Sequence, residues 1–171
     1  MGAALAAAVT PVAACGGWSQ HLLRAGTLQA ALRQIRHHRP ALLGGVILLT
    51  MPSTVAVHMA AEEDRRFETM TWTDGRVAPG AETGDLPPET TLFDLLRDVP
   101  LVADIQHMAQ RHLGEEGVFA PSLATAKLWL EDEQMFVDAT LDGVSASVLL
   151  RVDGDTLNPC LLYTSPSPRD S

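Results

Sequence analysis

Aromatic residues are scarce in this chain: four Phe, three Trp and one Tyr among 171 residues. A core must therefore rest on Leu, Val, Ala and Met. Cysteine is scarcer still. Cys15 and Cys160 can form one bridge at most, so a disulfide-stapled scaffold is excluded and the redox compartment stays open. Basic residues are outnumbered, and the net charge of −9 argues against a general nucleic-acid binder. No glycine-rich phosphate loop, zinc-ligand spacing or nucleophile elbow is present. No Ser/His/acid set stands at a readable spacing. These absences leave no cofactor or metal site to expect. No internal repeat is convincing either; Leu141-Asp142-Gly143 and Val152-Asp153-Gly154 recur as turn signals only.

The most informative absence is local. Residues 1–61 contain no Asp or Glu, and their charges are Arg24, Arg33, Arg36 and Arg39. Residues 62–159 carry the opposite bias, with a net charge of −13. Such a split points to two segments in different surroundings.

The last twelve residues, Cys160 to Ser171, read CLLYTSPSPRDS. Written as codons, Cys160 to Asp170 resembles the adapter of transposase-based sequencing libraries, in frame. The resemblance implies that 160–171 is an artefact to be set aside in reading the fold. It also implies a natural part with Cys15 as its one cysteine, a C-terminus cut near Pro159, and a Met1 that need not be the native start.

Ala41 to Ala61, ALLGGVILLTMPSTVAVHMAA, holds twenty-one residues without Asp, Glu, Lys or Arg. About 20 apolar residues suffice for a helix to cross a bilayer. Gly44, Gly45, Ser53 and Thr54 are tolerated in such a helix and Pro52 kinks it. Arg36 and Arg39 stand before the segment and Glu62-Glu63-Asp64 after it. The positive-inside rule then puts the N-terminal side in the cytoplasm and the acidic part outside. The alternative is a buried core element broken at Pro52 and Ser53. Upstream, Leu22, Leu28, Leu32 and Ile35 recur at helical spacing, so 19–40 reads as a basic amphipathic helix, weakened by Gly26.

Residues 62–90, rich in Gly and Pro, read as a linker. Within them Thr71-Trp72-Thr73 resembles a short strand ending at Asp74-Gly75. Residues 91–113 read as two helices. The first is LFDLLRDV; the second is capped by Asp98, carries Pro100 in its first turn and stops at Gly114. Residues 125–157 read as a β-meander with turns at Asp132-Glu133-Gln134, Asp142-Gly143 and Asp153-Gly154.

Chemistry-bearing side chains are thin on the ground. Asp104 and His107 share a helix face, but His107 and His112, five apart, align poorly for a metal. Those side chains read as a solvated helix edge. His37-His38, inside an Arg cluster, supply positive charge beside a membrane. His58 lies near the outer end of the apolar run.

Three resemblances attach to particular residues. Val12-Ala13-Ala14-Cys15 resembles a bacterial lipoprotein cleavage motif, which implies a lipidated Cys15, although no Lys or Arg precedes the apolar stretch. The first forty residues resemble a mitochondrial presequence, which implies a soluble organellar protein. FVDATLDGVSASVLLRVDGDT loosely resembles the retropepsin-like aspartic proteases and implies a membrane-tethered hydrolase. Asp142-Gly143 would be its turn and Asp153 its catalytic candidate. There Gly154-Asp155-Thr156 replaces the family's Thr-Gly.

The sequence thus leads to an α+β protein. Its expected parts are a basic segment 1–40, a transmembrane helix 41–61 (alone or in a two-helix hairpin), a linker 62–90, and a small, incomplete extracytoplasmic domain 91–159. Its expected function is non-catalytic: an accessory or assembly protein of the bacterial inner membrane, contacting lipid and another membrane or periplasmic protein, with no catalytic residue assigned.

Overall fold

Ala41 to Ala61, expected to be a membrane helix, folds as a β-hairpin in the computed structural model, which describes residues 21–85 and 87–164. Strand β1 runs Leu43–Thr50 and β2 runs Thr54–Ala60, with Pro52 and Ser53 in the turn between them. Proline has no N–H for a ladder, so within a sheet it is confined to edges and turns, and here Pro52 stands in the turn between two central strands. The single-pass transmembrane reading, with its two-helix variant, is therefore corrected. Among the described residues no helix is long and apolar enough to cross a membrane. The run is uniformly apolar because both faces of β1 are covered to some degree. Ile47 and Leu49 are buried on one face, and Val46 and Leu48 are half-buried on the other. A strand covered on both sides and a membrane span have the same hydropathy.

The remaining elements extend this hairpin. Helix α1 (Thr27–His38) precedes β1; β3 (Arg66–Thr73) and β4 (Arg76–Asp85) follow β2. Helix α2 (Val102–Leu113) leads into β5 (Leu123–Glu131), β6 (Gln134–Leu141), β7 (Ala146–Asp153) and β8 (Thr156–Thr164). Residues 62–90, expected as a linker, thus supply two strands. The eight strands form one antiparallel sheet in the order β4-β3-β2-β1-β5-β6-β7-β8. The expected α+β domain with a three-stranded meander is replaced by a mostly β molecule with two helices.

The two halves share one plan: a twelve-residue helix, then a four-stranded meander. They meet where β1 pairs antiparallel with β5, Val46 opposite Trp129 and Leu48 opposite Lys127. Beyond the first hairpin turn the inward positions correspond across the halves. Val57 matches Val137, Met70 matches Leu150 and Trp72 matches Val152, all buried. Burial pattern is shared while residue identity is not, which is why no repeat is visible in the sequence.

Both helices lie on one face of the sheet and enclose a single core. Helix α1 buries Leu28, Ala31, Leu32 and Ile35, the stripe expected from its spacing. Gln34 on its side accepts the indole N–H of the buried Trp72 at 2.9 Å. Helix α2 buries Val102, Ile105 and Ala109 and ends at Gly114 in the left-handed region, φ 73°, as expected. Its N-cap is Leu101 rather than Asp98, so Pro100 precedes the helix instead of opening it.

LFDLLRDV is not helical. Phe93 exchanges backbone bonds with Gly44, each 2.8 Å, and Phe93 and Leu95 are both buried, two residues apart. That is strand spacing. These residues belong to a strap, residues 87–101, that carries the chain from the end of β4 to α2. The strap passes the β1–β5 seam at Gly44-Gly45. A Cβ on Gly44 would stand 2.4 Å from Leu95 Cδ2, and one on Gly45 would stand 3.2 Å from Thr90 Cγ2. The glycine pair is explained by this close approach.

Candidate functional site

Neither helix covers the second sheet face. On it the strand registers build cross-strand rows. One row runs Thr69, His58, Val46, Trp129, Phe136, Arg151. The next runs Thr71, Ala56, Leu48, Lys127, Asp138, Leu149. A third is hydroxyl-rich: Thr73, Thr54, Thr50, Thr125, Thr140, Ser147. Within it Thr125 and Thr140 are 2.7 Å apart and Thr54 and Thr73 are 3.4 Å apart.

Where the strap approaches this face a cavity of about 510 Å³ opens. Its floor is Val46, Leu48 and Trp129; His58 and Phe67 stand on one side and Pro87, Thr90 and Thr91 form the strap side. The volume falls in the range of small-ligand or side-chain pockets, about 300–1,000 Å³. Lys127, Glu89 and Glu131 supply charge at the edge.

Local contacts hold the walls. The Trp129 ring stacks on Phe136 at 5.9 Å, and Lys127 Nζ lies 5.3 Å from its centroid. The Trp129 indole N–H points to Glu131 Oε2 at 3.4 Å. His58 Nδ1 and Thr69 Oγ1 lie 3.1 Å apart, and the imidazole ring meets Phe67 at 5.5 Å. The strap is pinned by Arg65. Its Nη2 donates to the carbonyls of Pro87 (3.0 Å), Pro88 (3.3 Å) and Thr90 (2.9 Å). Arg65 itself adopts φ 50°, which turns the chain between β2 and β3. The arrangement can hold an apolar group between sheet and strap.

The residues singled out in the sequence lie elsewhere, except His58, which lines the groove. Asp104 and His107 are exposed on α2 and His112 is half-buried; among the described residues no three ligand-type side chains converge to hold a metal ion. His37 and His38 are exposed at the end of α1, their rings 6.2 Å apart. The neighbouring arginines pair with acids, Arg36 with Asp94 at 3.4 Å and Arg39 with Glu68. Asp142 is an exposed turn residue. Asp153 ends β7, and its Oδ2 accepts from Arg151 Nη2 at 2.9 Å and Asn158 Nδ2 at 2.8 Å. Hydrogen bonding, first from Arg151 and then from Asn158, holds its carboxyl below the usual carboxylate range. Cys15 lies outside the described residues.

The groove residues other than His58 carried no motif. Lys127, Trp129 and Glu131 alternate with buried Ala126, Leu128 and Leu130, so a half-open strand face was readable there. Val46 and Leu48 gave no such signal, because both of their neighbours are apolar too.

No family model and no curated protein matches the chain. Among solved structures it is similar to a "putative lipoprotein" from Clostridium difficile 630, with a TM-score of 0.56 and 10% identity over 84% of this chain and 98% of that one. At that identity the likeness is one of fold.

Proposed function

We propose that this chain is a non-catalytic binding protein held at a membrane by a lipid on Cys15, with its sheet domain outside the cytoplasm. The observation that carries the binding role is the apolar groove on the sheet face that the helices leave open, floored by Val46, Leu48 and Trp129. It fits an apolar side chain or short segment of another membrane or periplasmic protein. Two things support the anchor. Val12-Ala13-Ala14-Cys15 has the form of a lipoprotein cleavage motif, and the solved structure of similar fold is that of a "putative lipoprotein".

A photo-crosslinking residue in place of Leu48, in cells making the full chain, tests the binding role. The expected result is a discrete membrane-fraction adduct that disappears when Trp129→Ala is added. The same residue at Ala30, exposed on α1, should give none. Identical adducts from both positions would sink the proposal.

A further inference from the structure

Val118 and Phe119 are 95% and 98% exposed, in a loop between α2 and β5. Exposed single apolar residues are ordinary, but an adjacent pair with almost no contact to its own protein is not. The internal symmetry sharpens the point. In the first half, the chain passes from helix to strand in four residues, 39–42. In the second it takes nine, 114–122. The added length displays Val118-Phe119 and adds nothing to the core.

The position of this loop matters. Ser122, at its end, lines one hollow with His21, Leu23, Met51 and Pro52. The Leu22 N–H donates to Pro52 O at 2.8 Å. The chain therefore enters the fold beside this loop, at the end of β5 opposite the groove, where Glu131 stands. Cys15 precedes His21 by six residues, a span of at most about 22 Å. Phe119 is three residues from Ser122, at most about 11 Å away.

We infer that Val118-Phe119 is a second membrane contact, an apolar tip that enters the lipid interface next to the N-terminal anchor. The inference rests on the lipid-anchor reading for its geometry. A lipid anchor fixes the chain at one point and leaves the domain free to tilt, and an apolar tip on the same side of the fold sets how the domain lies on the surface. The tip itself is apolar. Glu115 and Glu116 precede the tip, and anionic headgroups repel them, so the surface it fits is zwitterionic.

The test uses the full chain with Cys15→Ser and Cys160→Ser, carrying an environment-sensitive fluorophore at Phe119→Cys. Phosphatidylcholine vesicles should shift its emission to the blue, more strongly than vesicles containing phosphatidylglycerol. The same label at Ala30→Cys should not respond. In the lipidated chain, Phe119→Asp should lower vesicle partitioning about tenfold, the loss expected from one buried aromatic side chain. No shift at position 119, or equal shifts at both positions, overturns the inference. Incorporation of labelled palmitate at Cys15 is measured separately. Incorporation without a shift leaves the anchor standing and removes the tip. A shift without incorporation removes the anchor and leaves the tip standing.

Discussion

Asp153 shows what a single side chain in a turn can and cannot be. The aspartic-protease resemblance asks for a carboxyl that shares a proton with a second carboxyl, which pushes their titrations apart. The described hydrogen-bond partners of the Asp153 carboxylate are a guanidinium and an amide, and both favour the ionised form. The sign of the pH effect follows. A carboxyl whose folded value is depressed adds stability above its unfolded value. That stability is lost as pH falls through the folded one. Asp153→Asn should therefore lower the melting temperature more near pH 7 than at strongly acid pH, where the carboxyl takes up its proton as pH falls through its depressed folded value. Thermal melts of the two proteins at both pH values check this. An equal difference at both would mean that the charge on Asp153 contributes nothing to the β7–β8 turn.

At the scale of elements, the strap is the part that joins sheet face to core. On one side Thr90 and Thr91 border the groove; on the other Phe93 and Leu95 fill the core under β1. Arg65 holds the groove end through three carbonyls from one nitrogen. Arg65→Met keeps much of the stem and removes those bonds. The expected cost is about 1.5 kcal/mol, the lower end for bonds to a charged donor, because the site is partly exposed. Hydrogen exchange should rise at Glu89, Thr90 and Thr91 while β6 and β7 keep their protection. Uniformly faster exchange across the sheet would show that Arg65 holds the whole fold rather than the strap.

The whole molecule has two matching halves and one core. Among the described residues the cluster of buried side chains runs from Leu22 in the first half to Leu157 in the second. The seam between halves is a full strand pair, β1 with β5, with the strap packed at its end. The halves should then unfold together. Trp72 reports the first half and Trp129 the second. Denaturation followed by fluorescence in a Trp18→Phe, Trp129→Phe variant, where Trp72 is the one remaining tryptophan, should coincide with the far-ultraviolet circular dichroism transition of the same variant. Two separated transitions would show that the halves are independent folding units.

The sequence by itself determined what short-range patterns encode. The stripe of Leu28, Leu32 and Ile35, the stop at Gly114 and the turns at Asp132, Asp142 and Asp153 all appear where spacing and turn chemistry put them. Each depends on residues within one turn of helix or one hairpin. Only the tertiary structure decided the rest. Whether Ala41 to Ala61 meets lipid or protein is not written in its hydropathy, since both surroundings select apolar residues on every side. Pro52 was the one local hint that the run folds back. The groove needed the register of β1 against β5, which brings Val46 beside Trp129 across 83 positions of chain. Such a pairing is set by the summed burial of the whole sheet, and no window of sequence contains it.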